Sequence, residues 1–175
     1  MIDAPILPPT VAEPEAPSAP AIRACLVRLA GSPFGVDVAS AREVALFDEL
    51  TIVPRGPAHL LGVANLRGSV MPIVDIRPLL GLPAPPPGRS ITTLVIEEDG
   101  VRVAVIVEAA LGLEPFARIV PAGRTDLGDR ASFTPGFLPW GEQLVPLLDA
   151  PRILDALTLG TTGQPDAAAL QGGSR

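Results

Sequence analysis

Met71-Pro72-Ile73-Val74-Asp75 and Val145-Pro146-Leu147-Leu148-Asp149 share one pattern: an apolar residue, a proline, two aliphatic residues and an aspartate. The offset that superposes them also aligns Gly62 with Gly136, and Leu79-Leu80 with Ile153-Leu154. Each copy reads as a strand, followed by an aspartate placed to accept from the free N–H groups of a helical turn. A mid-strand proline has no N–H for a ladder, so an edge or bulged position is expected for both. Two similar small β units are therefore predicted within one chain.

Working outward, residues 24–30 and 34–39 are short apolar runs parted by Gly31-Ser32-Pro33, a hairpin pattern. Residues 92–97 and 101–108 flank Glu98-Asp99-Gly100, and Asp-Gly favours a two-residue hairpin turn. Val101, Val103, Val105 and Val107 alternate with Arg102, Ala104, Ile106 and Glu108, a period of two that argues for a strand. Ser40-Ala41-Arg42-Glu43-Val44-Ala45-Leu46-Phe47 reads as a short helix, Ser40 and Glu43 forming a capping box. Hydrophobic residues make up 47% of the chain and aromatics only 3%, so the core must be aliphatic. Six prolines before Ala21 predict a disordered leader over 1–21, and the Gly-, Thr- and Ala-rich end a disordered tail over 159–175. Residues 22–158 remain as the folded domain, with a loop at Leu82-Pro83-Ala84-Pro85-Pro86-Pro87-Gly88.

Composition also excludes chemistry. The net charge is −6, and every one of the 13 basic residues is Arg, with no Arg-rich run. An electrostatic footprint for nucleic acid is missing, and so is one for an anionic membrane. No apolar stretch is long enough to span a bilayer. One cysteine, Cys25, cannot form an internal bridge or a metal cluster by itself, and one histidine, His59, is equally poor material for a catalytic or metal centre. Cys25 is expected to pack as a small core residue, His59 to lie exposed, and Trp140 to pack on its own β unit. Asp75 and Asp149 are expected to cap turns rather than act as a catalytic pair, and Glu97-Glu98-Asp99 to be a solvated hairpin tip. No catalytic residue, cofactor or metal is expected.

The stretch Gly62-Val63-Ala64-Asn65-Leu66-Arg67-Gly68, followed by Ser69-Val70-Met71 and Pro72-Ile73-Val74-Asp75-Ile76-Arg77, resembles the central signature of the CheW family. So do Phe34-Gly35-Val36-Asp37-Val38 with Arg42-Glu43-Val44, then Pro57-Ala58-His59-Leu60-Leu61-Gly62, Arg102–Glu108 and Val145–Asp149. The resemblance spans about residues 23–157. Glu108 stands where the family has Asp, and Ala109-Ala110-Leu111-Gly112 departs from its Gly-Val-x-x-Val. The resemblance implies a mainly β fold of two intertwined five-stranded SH3-like barrels sharing an apolar seam, with short helices that include a C-terminal one.

It further implies a non-catalytic adaptor that joins the regulatory domain of a CheA-type histidine kinase to the cytoplasmic tip of methyl-accepting chemoreceptors. Such a protein works in the cytoplasm, associated with membrane receptor arrays. The protein-binding residues it implies are Glu43, Gly62, Asn65, Leu66, Arg67 and Gly68. Read from the residues alone, Arg67 equally fits a side chain tying down its own loop, Asn65 a local backbone bond, and Glu43 a capping residue. Two other readings stand beside the adaptor. An SH3-like peptide-binding module outside chemotaxis needs aromatic platforms, and this chain has no Tyr and one Trp. A small β-barrel enzyme needs converging reactive groups that the composition barely supplies.

Overall fold

Aliphatic runs bounded by Gly and Pro pair into hairpins, and the hairpins then join side by side. In chain order the strands are β1 (Ile22–Leu29), β2 (Ser32–Asp37), β3 (Ala41–Phe47), β4 (Leu60–Leu66), β5 (Ser69–Val74), β6 (Ile91–Glu98), β7 (Val101–Ile106), β8 (Ala109–Phe116), β9 (Val120–Pro121), β10 (Gly136–Trp140) and β11 (Gln143–Leu148). A 3-10 helix covers Gly128–Phe133, and α1 covers Ala150–Leu159. The computed structural model describes residues 21–83, 91–122 and 128–159. The expected leader, tail and Pro-rich loop fall, except for their innermost residues, outside these.

Three hairpins turn on two residues that both take positive φ: Ala30-Gly31, Arg67-Gly68 and Asp99-Gly100. This is the turn whose twist matches that of the flanking strands. Only the Asp-Gly turn was legible as such beforehand. The segment expected to be helical over 40–47 is β3. Ala45 and Phe47 are buried while Val44 and Leu46 stay exposed, so the period is two. Both faces carry apolar residues, which hid that period. Ser40 donates its hydroxyl to Glu98 instead of capping a helix.

The strands form two sheets, ordered β8-β1-β2-β11-β10-β9 and β3-β6-β7-β5-β4. Each sheet curls around its own aliphatic cluster, giving the two expected barrels, the first with an extra two-residue strand. In each barrel two antiparallel hairpins meet along a parallel contact. Leu147 and Leu148 pair with Gly35 and Val36 in one, and Ile73 and Val74 pair with Ala104 and Val105 in the other. Placing Leu147 on Ile73 therefore places Gly35 on Ala104, Leu26 on Val95 and Gly112 on Glu43. Even the register shifts coincide, between Leu26 and Val27 against β8 and between Ala41 and Glu43 against β6. The repeat read in β5 and β11 thus extends to five strands. In one barrel they run consecutively as β3–β7, and in the other β1–β2 completes what β8–β11 begins.

The prolines are not at edges. Pro72 and Pro146 lie in β5 and β11, each with a neighbour on both sides. Val63, opposite Pro72, exchanges both its backbone hydrogen bonds with Thr51, so no donor is asked of Pro72 on that side. On the other side the parallel ladder begins only at the next residue, Ile73, and likewise at Leu147 after Pro146.

Between the barrels lies the principal core. Val27, Leu29 and Val36 face Leu94, Ile96, Val103 and Val105 across it, and α1 closes it with Ala150, Ile153, Leu154 and Leu157. That spacing puts the four on one helical face. Each fully buried aliphatic side chain there contributes roughly 1.5–3 kcal/mol. Val103 and Val105 face this seam while Ala104 points into the barrel of β3–β7, so β7 is buried on both faces.

Candidate functional site

The β4–β5 turn reaches over to β3. Gly62 lets β4 pass close to Thr51: a Cβ there would lie 2.7 Å from the Thr51 carbonyl oxygen. Thr51 and Val63 exchange backbone hydrogen bonds of 2.8 Å, bringing the strand pair β4–β5 against the chain leaving β3. At the far end of the hairpin the Asn65 carboxamide oxygen accepts the Gly68 N–H at 2.7 Å. This bond fixes the turn and holds Arg67 at φ 51°, a left-handed conformation unusual for a long side chain. From there Arg67 reaches Glu43 on β3, with 2.7 Å between Nη2 and Oε2. Arg67 is 78% exposed and Glu43 28%. Residues 24 positions apart in sequence thus form one charged corner, with Glu43 on a strand rather than in a capping box.

Five of the six implied residues, Gly62, Asn65, Leu66, Arg67 and Gly68, belong to a single hairpin, and Glu43 faces its tip. Gly62 sits at the opposite end of β4 from the corner and shapes the strand instead of presenting a group. Around the corner are exposed apolar side chains that sequence reasoning did not single out. Val70 pairs with Asn65 and is 74% exposed. Leu46 is 70% exposed and lines one open groove with Asp48, Glu49, Thr51, Val63 and Asn65. Ile52, next to Thr51, is 77% exposed but lies towards the Gly62 end of β4, away from the corner. Val70 and Leu46 thus add exposed apolar area near the charged pair, the mixture found at many protein contact surfaces. The sequence signal was Val44-Ala45-Leu46-Phe47, a run too apolar for a solvent-facing edge strand.

The model of the CheW-like domain matches residues 23–158. The chain belongs to the CheW-like domain family. A probable chemotaxis protein CheW of Rhizobium etli is 37% identical over 83 residues, which are 47% of this chain and 53% of that protein. The chemotaxis protein CheW of Klebsiella aerogenes is 22% identical over 130 residues, 73% of this chain and 78% of that one. The chain thus spans about half the length of the Rhizobium relatives it matches. The crystal structure of the scaffolding protein TtCheW from Thermoanaerobacter tengcongensis superposes with a TM-score of 0.65 at 22% identity, over 74% of this chain and 89% of that one. At that identity the likeness establishes the fold.

Within this CheW-like domain the reactive residue types are dispersed. Cys25 lies on β1, half-buried against the seam, and burial raises its thiol pKa above the ordinary value. His59 is half-buried in the loop before β4, and its carbonyl accepts the Asp75 N–H. Asp149 accepts the Arg152 N–H at 3.1 Å and caps α1. Asp75 accepts the Arg77 N–H and also binds the Arg77 guanidinium at 2.8 and 3.1 Å. Glu97 is held by Arg102, with Arg42 3.5 Å away. The Arg102 hydrogen bond, with the nearby Arg charges, lowers its carboxyl pKa. Trp140 packs against the cluster of the six-stranded barrel. Among the described residues no three of His, Cys, Asp or Glu gather as a metal site, and no helix is long and apolar enough to cross a membrane.

Proposed function

We propose that this CheW-like domain is a non-catalytic adaptor that couples chemoreceptors to a CheA-type histidine kinase in chemotaxis-type signalling. The observation that carries the reading is the Arg67–Glu43 corner, with exposed Val70 beside its turn and Leu46 on the neighbouring groove. Exposed aliphatic residues supply contact area, and the paired charges supply orientation and partner choice. The names of its chemotaxis relatives support the pathway. The kinase's regulatory domain and the cytoplasmic tip of a methyl-accepting receptor are the partners, and the site of action is the cytoplasmic face of receptor arrays. The adaptor holds the two partners at fixed geometry, so that a change of receptor state biases the kinase between conformations.

Arg67→Asp tests this. It places two carboxylates together at the corner while leaving the barrels' cores untouched. The expected result is an unchanged circular dichroism spectrum, with loss of receptor-dependent kinase phosphorylation in a reconstituted mixture of receptor, kinase and adaptor. The double variant Arg67→Glu with Glu43→Arg restores the pair and should recover part of the coupling. Full activation by folded Arg67→Asp would refute the role of the corner.

A further inference from the structure

We propose that the β1–β2 hairpin, Ile22–Asp37, can be exchanged between two copies of this chain, each hairpin completing the partner's six-stranded barrel. This goes beyond the adaptor reading and does not depend on it. The barrel of β3–β7 is built from consecutive strands and closes within one stretch of chain. The same five-strand plan in the other barrel is closed by a hairpin from before that stretch, which fills the place between β8 and β11. What ties the hairpin to that place covalently is Val38–Ser40 alone.

The hairpin is self-contained as a unit. Its two strands pair over six residue pairs, Ala24–Asp37 to Leu29–Ser32, and the Val38 N–H donates back to the Arg23 carbonyl at 3.0 Å. Moving it as a body keeps all of these. The linker folds on three local bonds: Ala39 N–H to the Asp37 carboxylate, Ser40 N–H to the Asp37 carbonyl, and the Arg42 guanidinium to the Ala39 carbonyl. Beyond them the Ser40 carbonyl is already anchored on the other barrel, to the Glu97 N–H. Straightening the linker therefore forfeits three hydrogen bonds around the exposed Ala39, and three extended residues reach about 10 Å. Every contact the hairpin makes in its slot, from Leu26 and Phe34 in the cores to the Leu147–Gly35 ladder, is available unchanged in a second copy. Identical contacts in both arrangements are what make exchange a low-cost route to a dimer. Because Leu26 and Phe34 are fully buried, the choice is made during folding, when the slot is open, and is then kept.

The lone cysteine provides the test. Cys25 on β1 lies directly opposite Leu113 on β8, so Leu113→Cys creates a cross-strand thiol pair that reports which copy supplies β1. The full chain carrying Leu113→Cys is unfolded under reducing conditions and refolded at a series of concentrations. Each sample is then diluted to one common concentration, oxidised, and run on a non-reducing denaturing gel. Exchanged copies become covalent dimers; unexchanged ones carry an internal bond. The ratio of dimer to monomer should rise about tenfold for a tenfold rise in monomer during refolding, by mass action. It should vanish when Cys25→Ala is added. In the unaltered chain, light scattering after the same dilution should find a dimer that persists. A dimer fraction independent of refolding concentration, a dimer that survives Cys25→Ala, or an unaltered chain that is monomeric throughout would overturn the proposal.

Discussion

At the scale of single residues, Gly62 and Gly68 bracket one hairpin but serve it differently. Gly68 sits at φ 88° with nothing within 4 Å of where a Cβ would be, so the residue is there for conformation. Gly62 meets both demands: its φ is 156°, and a Cβ would press on the backbone oxygen of Thr51, which cannot swing aside like a side chain. Gly68→Ala should therefore cost about 1 kcal/mol. Gly62→Ala should cost roughly 2–3 kcal/mol, because the Thr51–Val63 bridge must give way. Urea denaturation of the two variants checks the order; equal losses would mean that the close approach is not what selects glycine. Cys25 offers a second residue-scale test. Burial lifts its pKa, so at a given alkaline pH less of it is thiolate than in the unfolded chain. Its reaction with a thiol-specific disulfide reagent should be markedly slower in the native protein than in urea at the same pH. Equal rates would show the thiol to be as free as in an open chain.

Among elements, the repeated aspartates show what a shared pattern does and does not carry over. Asp149 caps α1 at the surface, where its partner Arg152 is exposed. Asp75 meets Arg77, whose side chain is 1% exposed and whose Nη1 has no hydrogen-bond partner among the described residues. Asp149→Ala should cost about 1 kcal/mol, as for an ordinary N-cap. Asp75→Ala strands a buried guanidinium and should cost about 3–5 kcal/mol. Midpoints of chemical denaturation compare the two directly, and a loss from Asp149→Ala as large as that from Asp75→Ala would contradict the distinction. The strand-then-aspartate pattern was legible in sequence because both copies keep a proline and an acid in step. The burial of Arg77 was not, since an Arg two residues after an Asp reads like any surface pair. For the same reason the corner was legible only in part. Asn65-Leu66-Arg67-Gly68 stands out as a motif, but its link to Glu43 requires β3 to be a strand. The apolar run at 44–47 masks that period, because Val44 and Leu46 remain uncovered in the isolated chain.

On the scale of the whole molecule, the two barrels form one cooperative unit, and the distribution of apolar burial decides this. The seam between them gathers seventeen buried residues of the described chain, whereas the cluster inside each barrel gathers six. Each barrel's own cluster is small beside the seam, and the six-stranded barrel draws its strands from both sides of β3–β7 in the chain. The offset of 74 residues revealed β5 and β11, yet concealed the rest of the repeat, because β1 and β2 come before their counterparts β6 and β7 instead of after. Unfolding should therefore be two-state. Trp140, the one tryptophan, reports on the six-stranded barrel alone, while far-ultraviolet circular dichroism reports on both. The two signals should share one midpoint in urea. Ile153→Ala removes a fully buried side chain of α1 from the seam and should cost about 2–5 kcal/mol without separating the two signals. Were the barrels independent, truncation at their shared face would instead weaken one transition and split the curves, and a fluorescence midpoint distinct from the dichroism midpoint in the unaltered chain would already disprove the coupling.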